Sequence, residues 1–219
     1  MWEFLRTYGP RLVDGALVTC AQFALAALVA WTAALAAGLA RLSARWPLRS
    51  LATIYIEIFR GTSLLVQLYW IFFVLPLFGI SLPKFEAGFL SVGLNVGAYG
   101  AEIVRGAITA VPRGQWEAGY ALSMSPGKRM QRIILPQALA LMLPPWGNLM
   151  IELLKGTALV ALIAVPDLMF VAKQINGATF RSAESFGAAL LIYYMLARLL
   201  ITPAMRGLER AMARRLGRA

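Results

Sequence analysis

Histidine is absent from this chain, and cysteine occurs once, as Cys20. Without imidazole the sequence lacks the commonest metal ligand and the side chain that most often moves protons near neutral pH. That weighs against zinc chemistry and a histidine-based proton relay, and no metal ligands are expected. A lone cysteine in an apolar run excludes an internal disulfide and reads as a small packing residue. Charge is scarce as well: 14% of residues are charged, against about a quarter in a soluble domain. A Gly-x-x-x-x-Gly-Lys-Ser/Thr phosphate loop is also missing. Its nearest approach, Gly127-Lys128, is followed by Arg129 and has Leu122 where the first glycine belongs. ATP hydrolysis is therefore not expected here, and no catalytic site is assigned.

What the chain has is apolar length. Hydrophobic residues make up 60% of it and the mean hydropathy is +0.69. A spanning helix needs about 20 mainly apolar residues at about 1.5 Å each. The expected fold is an all-α integral membrane protein, residues 1–219 forming one domain. Five spans are read, at about residues 12–40, 51–78, 87–107, 136–165 and 186–205. The first is too long for a signal-peptide core and is read as retained. The fourth would measure about 45 Å as a helix, more than a bilayer needs. Pro144, Pro145 and Gly147 interrupt it, so a tilted or broken helix is expected there, one broken span or two segments.

The net charge of +11 would suit nucleic acid, but the basic residues lie between apolar runs, as they do in membrane proteins. Nucleic-acid binding is not expected. Arg41, Arg45 and Arg49, then Arg105, Arg113, Lys128, Arg129 and Arg132, then Arg206, Arg210, Arg214, Arg215 and Arg218 fall on one side. Arg6, Arg11, Lys84, Lys173 and Arg181 fall on the other. The positive-inside rule then puts the N-terminus outside and the C-terminus in the cytoplasm. A six-span alternative would move the basic C-terminus outside. The C-terminal run also suits contact with anionic membrane lipid or with a partner protein.

Between the third and fourth spans, residues 111–135 form the longest polar interval. Gln115 to Leu122 suits a short helix with Trp116 and Tyr120 four apart, and Pro126-Gly127 then forces a turn into a second helix. Glu117-Ala118-Gly119, three residues, Ser123, nine residues and Ile133-Ile134-Leu135-Pro136 resemble the signature loop of ABC importer permeases. The family pattern is Glu-Ala-Ala, three residues, Gly, nine residues, Ile-x-Leu-Pro. Gly119 replaces the second Ala and Ser123 the Gly; both are small, and the turn geometry at Ser123 is the point at issue. Glu57 to Gln67, Gly97 to Gly106 and Leu135-Pro136-Gln137-Ala138 are similar to the polar amino-acid branch of these permeases, including those for ectoine-type compatible solutes.

The resemblance implies a permease of the bacterial inner membrane that carries a small polar or zwitterionic solute. It implies two cytoplasmic ATP-binding subunits that use ATP and Mg, while this chain binds no cofactor. A second permease, identical or related, and an extracytoplasmic solute-binding protein complete the set. Arg113, Trp116, Glu117, Ala118, Gly119, Tyr120 and Ser123 would form the helix coupled to the ATPase. Small residues there allow deep seating, Trp116 and Tyr120 supply anchors, and Glu117 can meet a cation. An ion-coupled secondary transporter is the competing class, since membrane glutamates and broken helices suit it too.

Three segments share Glu-x-x-basic-Gly: Glu57 to Arg60, Glu102 to Arg105 and Glu152 to Lys155. That spacing puts both charges on one helical face, so each pair can neutralise itself at membrane depth. The first and third extend into Gly61-Thr62 and Gly156-Thr157, where a Gly-Thr step could unwind the helix. Glu57, Arg60, Thr62, Gln67, Glu152, Lys155 and Thr157 are the candidates for lining a solute path. The same pairs also suit helix–helix contacts, and Gln67 also suits an interhelical hydrogen bond.

Overall fold

A computed structural model describes residues 2–215, with side chains through Arg214; Arg218 of the basic run lies outside the described residues. No strand occurs among them. Helix α1 (Trp2–Arg41) is followed by α2 (Trp46–Gly61) and α3 (Leu64–Tyr69), which continues through a π turn (Trp70–Val74) and a 3-10 turn (Leu75–Phe78). Next come α4 (Lys84–Thr109), α5 (Arg113–Ala121) and α6 (Pro126–Arg129). A π turn (Met130–Ile134) leads into α7 (Leu135–Thr157), which tightens into 3-10 geometry (Ala158–Ile163). Helix α8 (Leu168–Thr179) precedes α9 (Ser182–Met195), a π turn (Leu196–Ile201) and α10 (Thr202–Arg215). Four of these continuous helical stretches are long and apolar enough to cross a membrane, and the α2–α3 pair makes a fifth.

The centre is α1 against α4, running parallel. Gln22 meets Gly88, Ala30 meets Gly97 and Gly38 meets Val104. Small residues make the approach possible: a Cβ on Gly93 would lie 2.7 Å from Val29 Cβ, and one on Gly100 would lie 2.6 Å from the Trp146 ring. In a bilayer, where lipid tails are as apolar as leucine, such close backbone packing is what holds helices together. Helix α7 runs antiparallel to α4, with Trp146 against Gly100 and Val160 against Gly88. The last span runs antiparallel to α7, with Met205 facing Gly147 and Tyr193 reaching Asp167. Because α1 and α4 are parallel, the bent pair must return the chain between them, so the described chain ends lie at opposite ends of the bundle.

Helix α1 is about 60 Å long at about 1.5 Å per residue, well beyond a bilayer core. It starts ten residues before the span read from hydropathy, and this extra length is covered rather than free. Phe4 and Leu12 pack with Leu168, Val171, Ala172 and Ile175 of α8 and with Ala188 and Ala189 of α9.

Two spans differ from the sequence reading. The stretch 51–78 is not one rod: α2 and α3 meet at 108° across Thr62-Ser63. In the fourth span, Pro144 and Pro145 lie inside an unbroken α7, where the flanking Met142 and Trp146 are buried and packing holds the helix. Its interruption comes later, where 3-10 geometry ends at Ala164 in the left-handed region (φ 60°).

The three π turns share a cause legible in the sequence. A proline clashes with the carbonyl four residues before it. For Pro76, Pro136 and Pro203 that residue is Phe72, Arg132 and Leu199, and each lies inside a π turn. The wider turn moves the carbonyl away without ending the helix.

Candidate functional site

Helix α5 starts after Pro112 and is bound to the bundle by three contacts. Trp116 is half-buried and packs with Met130 and Ile133 against the main core. Gln137 on α7 donates to Gln115 Oε1 at 3.1 Å and to the Ile133 carbonyl at 2.9 Å. The third contact is Arg129. Its side chain is only 5% exposed, its Cζ lies 3.6 Å from the Tyr120 ring centroid and 5.8 Å from that of Trp116. Such a desolvated cation over aromatic faces is stabilised by about 2 kcal/mol.

Gly119 is buried under the Arg129 stem; a Cβ there would lie 2.5 Å from Arg129 Cδ. Arg113, Glu117, Ala118 and Tyr120 are exposed, with Tyr120 at 65% and the neighbouring Leu122 at 72%. One side of α5 is thus fastened to the long fourth span while the other presents a carboxylate, small residues and two apolar side chains. Of the two expected aromatic anchors, Trp116 turns inward and Tyr120 outward.

Ser123 ends α5 in the left-handed region (φ 53°). The Ser123 amide donates to the Tyr120 carbonyl at 2.8 Å and the Met124 amide to the Gly119 carbonyl at 3.1 Å. This pair of bonds is a Schellman closure, whose left-handed position favours glycine. The serine adopts the turn that glycine would take.

Along the bundle, the polar candidates separate into three groups. At the bend, Thr62 donates to the Ile58 carbonyl at 2.7 Å and accepts from Gln67 Nε2 at 2.7 Å. Gln67 Nε2 also lies 2.9 Å from the Phe59 carbonyl, and Asn95 donates to both that carbonyl and Gln67 Oε1 at 3.0 Å. Gln67 is buried and satisfies backbone groups released where α2 ends at Gly61. A bend in a spanning segment requires such internal partners.

In the second group the pairing differs from the expected one. Glu57 does not neutralise Arg60. Arg60 stacks on Tyr99 with 5.3 Å to the ring centroid, and Glu57 lies 4.0 Å from Arg41 at the end of α1. Glu102 bonds to Arg41 and also accepts from Arg105 at 2.9 Å and 3.0 Å. In the sequence Arg41 carries only a topology signal; its partners sit on other helices, and nothing in local spacing points to them.

The third group is on α7. Lys155 donates to Glu152 at 2.8 Å, and both side chains are about two-thirds exposed (64% and 65%). Trp146 contacts Gly100 and Gly156 contacts Val92, so the pair is level with the middle of α4. The adjoining Thr157 is buried and donates to the Leu154 carbonyl at 2.7 Å.

The sequence reading assigns no role to the buried Asp167 carboxyl. Asp167 has no exposed surface; its Oδ1 accepts from the Phe170 amide at 2.9 Å, capping α8, and its Oδ2 accepts from the Tyr193 hydroxyl at 3.2 Å. Burial pushes the carboxyl up to about 6, against the lowering effect of the Phe170 amide. The signal was present: a proline-aspartate pair before an apolar helical run marks an N-cap.

Among the described residues no group of three or more His, Cys, Asp or Glu is arranged to hold a metal.

Comparison with known proteins accounts for a helical membrane bundle of this kind. Residues 25–214 match the family described as the binding-protein-dependent transport system inner membrane component, and the chain belongs to that family. Within it, the chain is a permease of the amino-acid ABC transporter type. It is 44% identical over 183 residues to a probable amino-acid ABC transporter permease, y4tF, of Sinorhizobium fredii (81% of this chain, 76% of that protein). It is 38% identical over 193 residues to the L-cystine transport permease TcyB of Bacillus subtilis (88% and 80%). With the glutamine transport permease GlnP of Escherichia coli it shares 35% over 213 residues (96% and 97%). A solved structure of an amino acid ABC transporter with histidines superposes with a TM-score of 0.88 at 34% identity, covering 96% and 98% of the two chains. The methionine transporter MetNI shares the fold, with a TM-score of 0.80 at 21% identity over 94% and 98%.

Proposed function

We propose that this chain forms half of the passage of an ATP-driven importer for a polar or zwitterionic amino acid, or an ectoine-type solute with the same two charges. The observation carrying this reading is the exposed Glu152–Lys155 ion pair on a helix apolar enough to span, level with the middle of α4. Ionised groups facing lipid at that depth cost several kcal/mol, so they belong against water or a neighbouring protein. Five crossings are too few to enclose a path, and a second permease supplies the missing wall. The exposed pair then lines a wet interface, matched to a solute carrying both charges. Glu57, Arg60 and Thr62 at the α2–α3 bend extend that polar surface, while Gln67 and Thr157 support the local backbone.

Helix α5 is the coupling element. Glu117 and its exposed neighbours dock on a cytoplasmic ATP-binding subunit, of which the complex has two, and ATP and Mg are used there. The side holding α5 and the basic α10 is cytoplasmic, the Trp2 end is external, and an extracytoplasmic binding protein delivers the solute to that end.

The test is uptake by the assembled transporter in vesicles, against a panel of polar amino acids and ectoine. ATP-dependent uptake is expected, with solute preference altered when Glu152→Gln and Lys155→Met are combined. Glu117→Lys is expected to separate ATP hydrolysis from uptake without reducing membrane insertion. Uptake driven by an ion gradient without ATP would reject the reading.

A further inference from the structure

The contact between Gly119 and Arg129 lies on the buried side of α5, away from the exposed Glu117. Arg129 closes α6, immediately before the π turn that runs into α7. Its guanidinium is enclosed by the chain itself, over Tyr120 and beside Trp116, and its Nε has no hydrogen-bond acceptor. A buried guanidinium whose Nε lacks an acceptor and that is held by aromatic faces is costly to desolvate, so the arrangement is maintained by close packing. Gly119 supplies the space: a methyl group there would overlap Arg129 Cγ at 2.7 Å and Cδ at 2.5 Å. These are mid-chain atoms, so they cannot swing aside without dragging the guanidinium off Tyr120.

We infer that Arg129 is a positioning residue that locks α5 to the long fourth span, and that position 119 must be glycine because the Arg129 stem fills the space of an alanine methyl. The inference rests on reading residues 111–135 as the coupling loop. Without the lock, α5 stays attached through Pro112, Trp116 and Gln115 but can tilt about them. Motion of α7 is then no longer delivered in full to the exposed Glu117 face.

The experiment uses the assembled transporter in vesicles and measures solute moved per ATP hydrolysed, together with assembled yield and hydrogen exchange over residues 113–121. Arg129→Ala and Gly119→Ala are each expected to lower solute moved per ATP, by up to about thirtyfold, the equilibrium factor of a desolvated cation–π contact. Yield and ATP hydrolysis should persist while exchange over α5 rises. The double variant is expected to be no worse than either single one, because the methyl has room once the Arg129 stem is gone. Singles that match the wild type, multiplying effects in the double variant, or yield and ATP hydrolysis falling with the ratio unchanged would each overturn the inference. Glu117→Lys is run in parallel. If it uncouples while the Arg129 and Gly119 variants do not, this inference alone fails; if it leaves coupling intact, the loop reading fails and takes the inference with it.

Discussion

Asn95 and Gln67 share the hydrogen bond that closes the bend between α2 and α3, Asn95 Nδ2 donating to Gln67 Oε1 at 3.0 Å. Both amides also donate to the Phe59 carbonyl, the backbone group freed as α2 ends. Gln67, a candidate for lining a solute path, therefore serves here with Asn95 to fill the gap left by a broken helix. Gln67→Leu removes one of the two donors to the Phe59 carbonyl and leaves one N–H of the buried Asn95 amide without its acceptor. The expected loss of stability is about 1–3 kcal/mol, the cost of a buried group without a partner. Thermal unfolding in detergent measures it. The double variant Gln67→Leu/Asn95→Leu should lose less than the sum of the singles, because the two side chains satisfy each other.

Asp167 makes stability depend on pH in the direction opposite to an ion-paired carboxylate. Its carboxyl is raised to about 6 by burial, so the folded chain holds the proton longer than the unfolded one. Its contribution is fully present below the ordinary aspartate range and is lost as pH rises from about 4 to about 6. The loss is on the order of 3 kcal/mol. Asp167→Asn keeps an acceptor for the Phe170 amide and cannot ionise, so it should flatten this slope. Melting temperatures of the two proteins at pH 4.5 and pH 7.5 supply the comparison; an equal slope in both would remove Asp167 as its source.

Ser123 occupies a backbone position at φ 53° that glycine adopts without a Cβ penalty. Ser123→Gly keeps both Schellman bonds and removes strain of about 1–2 kcal/mol. Slower hydrogen exchange of the Ser123 and Met124 amides is expected, with transport per ATP retained. Ser123→Val, a β-branched residue in the same turn, should do the reverse.

How far the sequence reveals this molecule depends on the range of the physics involved. Hydropathy is a sum over neighbours, and it located five spans. Proline and glycine act within a turn, and Gly61-Thr62 announced the break between α2 and α3. The π turns could also have been anticipated from Pro76, Pro136 and Pro203. Pro144 and Pro145 misled because their effect is overruled by packing of Met142 and Trp146 against other helices. Spacing brought out the loop at Glu117 but not Arg129, whose burial arises only when α6 folds back over α5. Arg41 and Tyr193 belong to the same class, since each meets its partner across the bundle.

Glu102 ties the ends of two helices together, and its two arginines should contribute unequally. Arg105 lies three residues away on the same helix, 40% exposed, and such pairs contribute about 0.2–0.5 kcal/mol. Arg41 comes from the end of α1, is 25% exposed, and also lies 4.0 Å from Glu57 on α2. It is held between two carboxylates on different helices, so breaking its contact frees the α1 end from both. A double-mutant cycle pairing Arg41→Met with Glu102→Gln should return a coupling of about 1–2 kcal/mol, because truncating one partner of a part-buried pair leaves the other uncompensated. The Arg105→Met cycle should return less than half of that, and more of its value should vanish at high salt because it is the more exposed pair. Equal coupling in the two cycles would show that Glu102 serves its own helix rather than fastening α1 to α4.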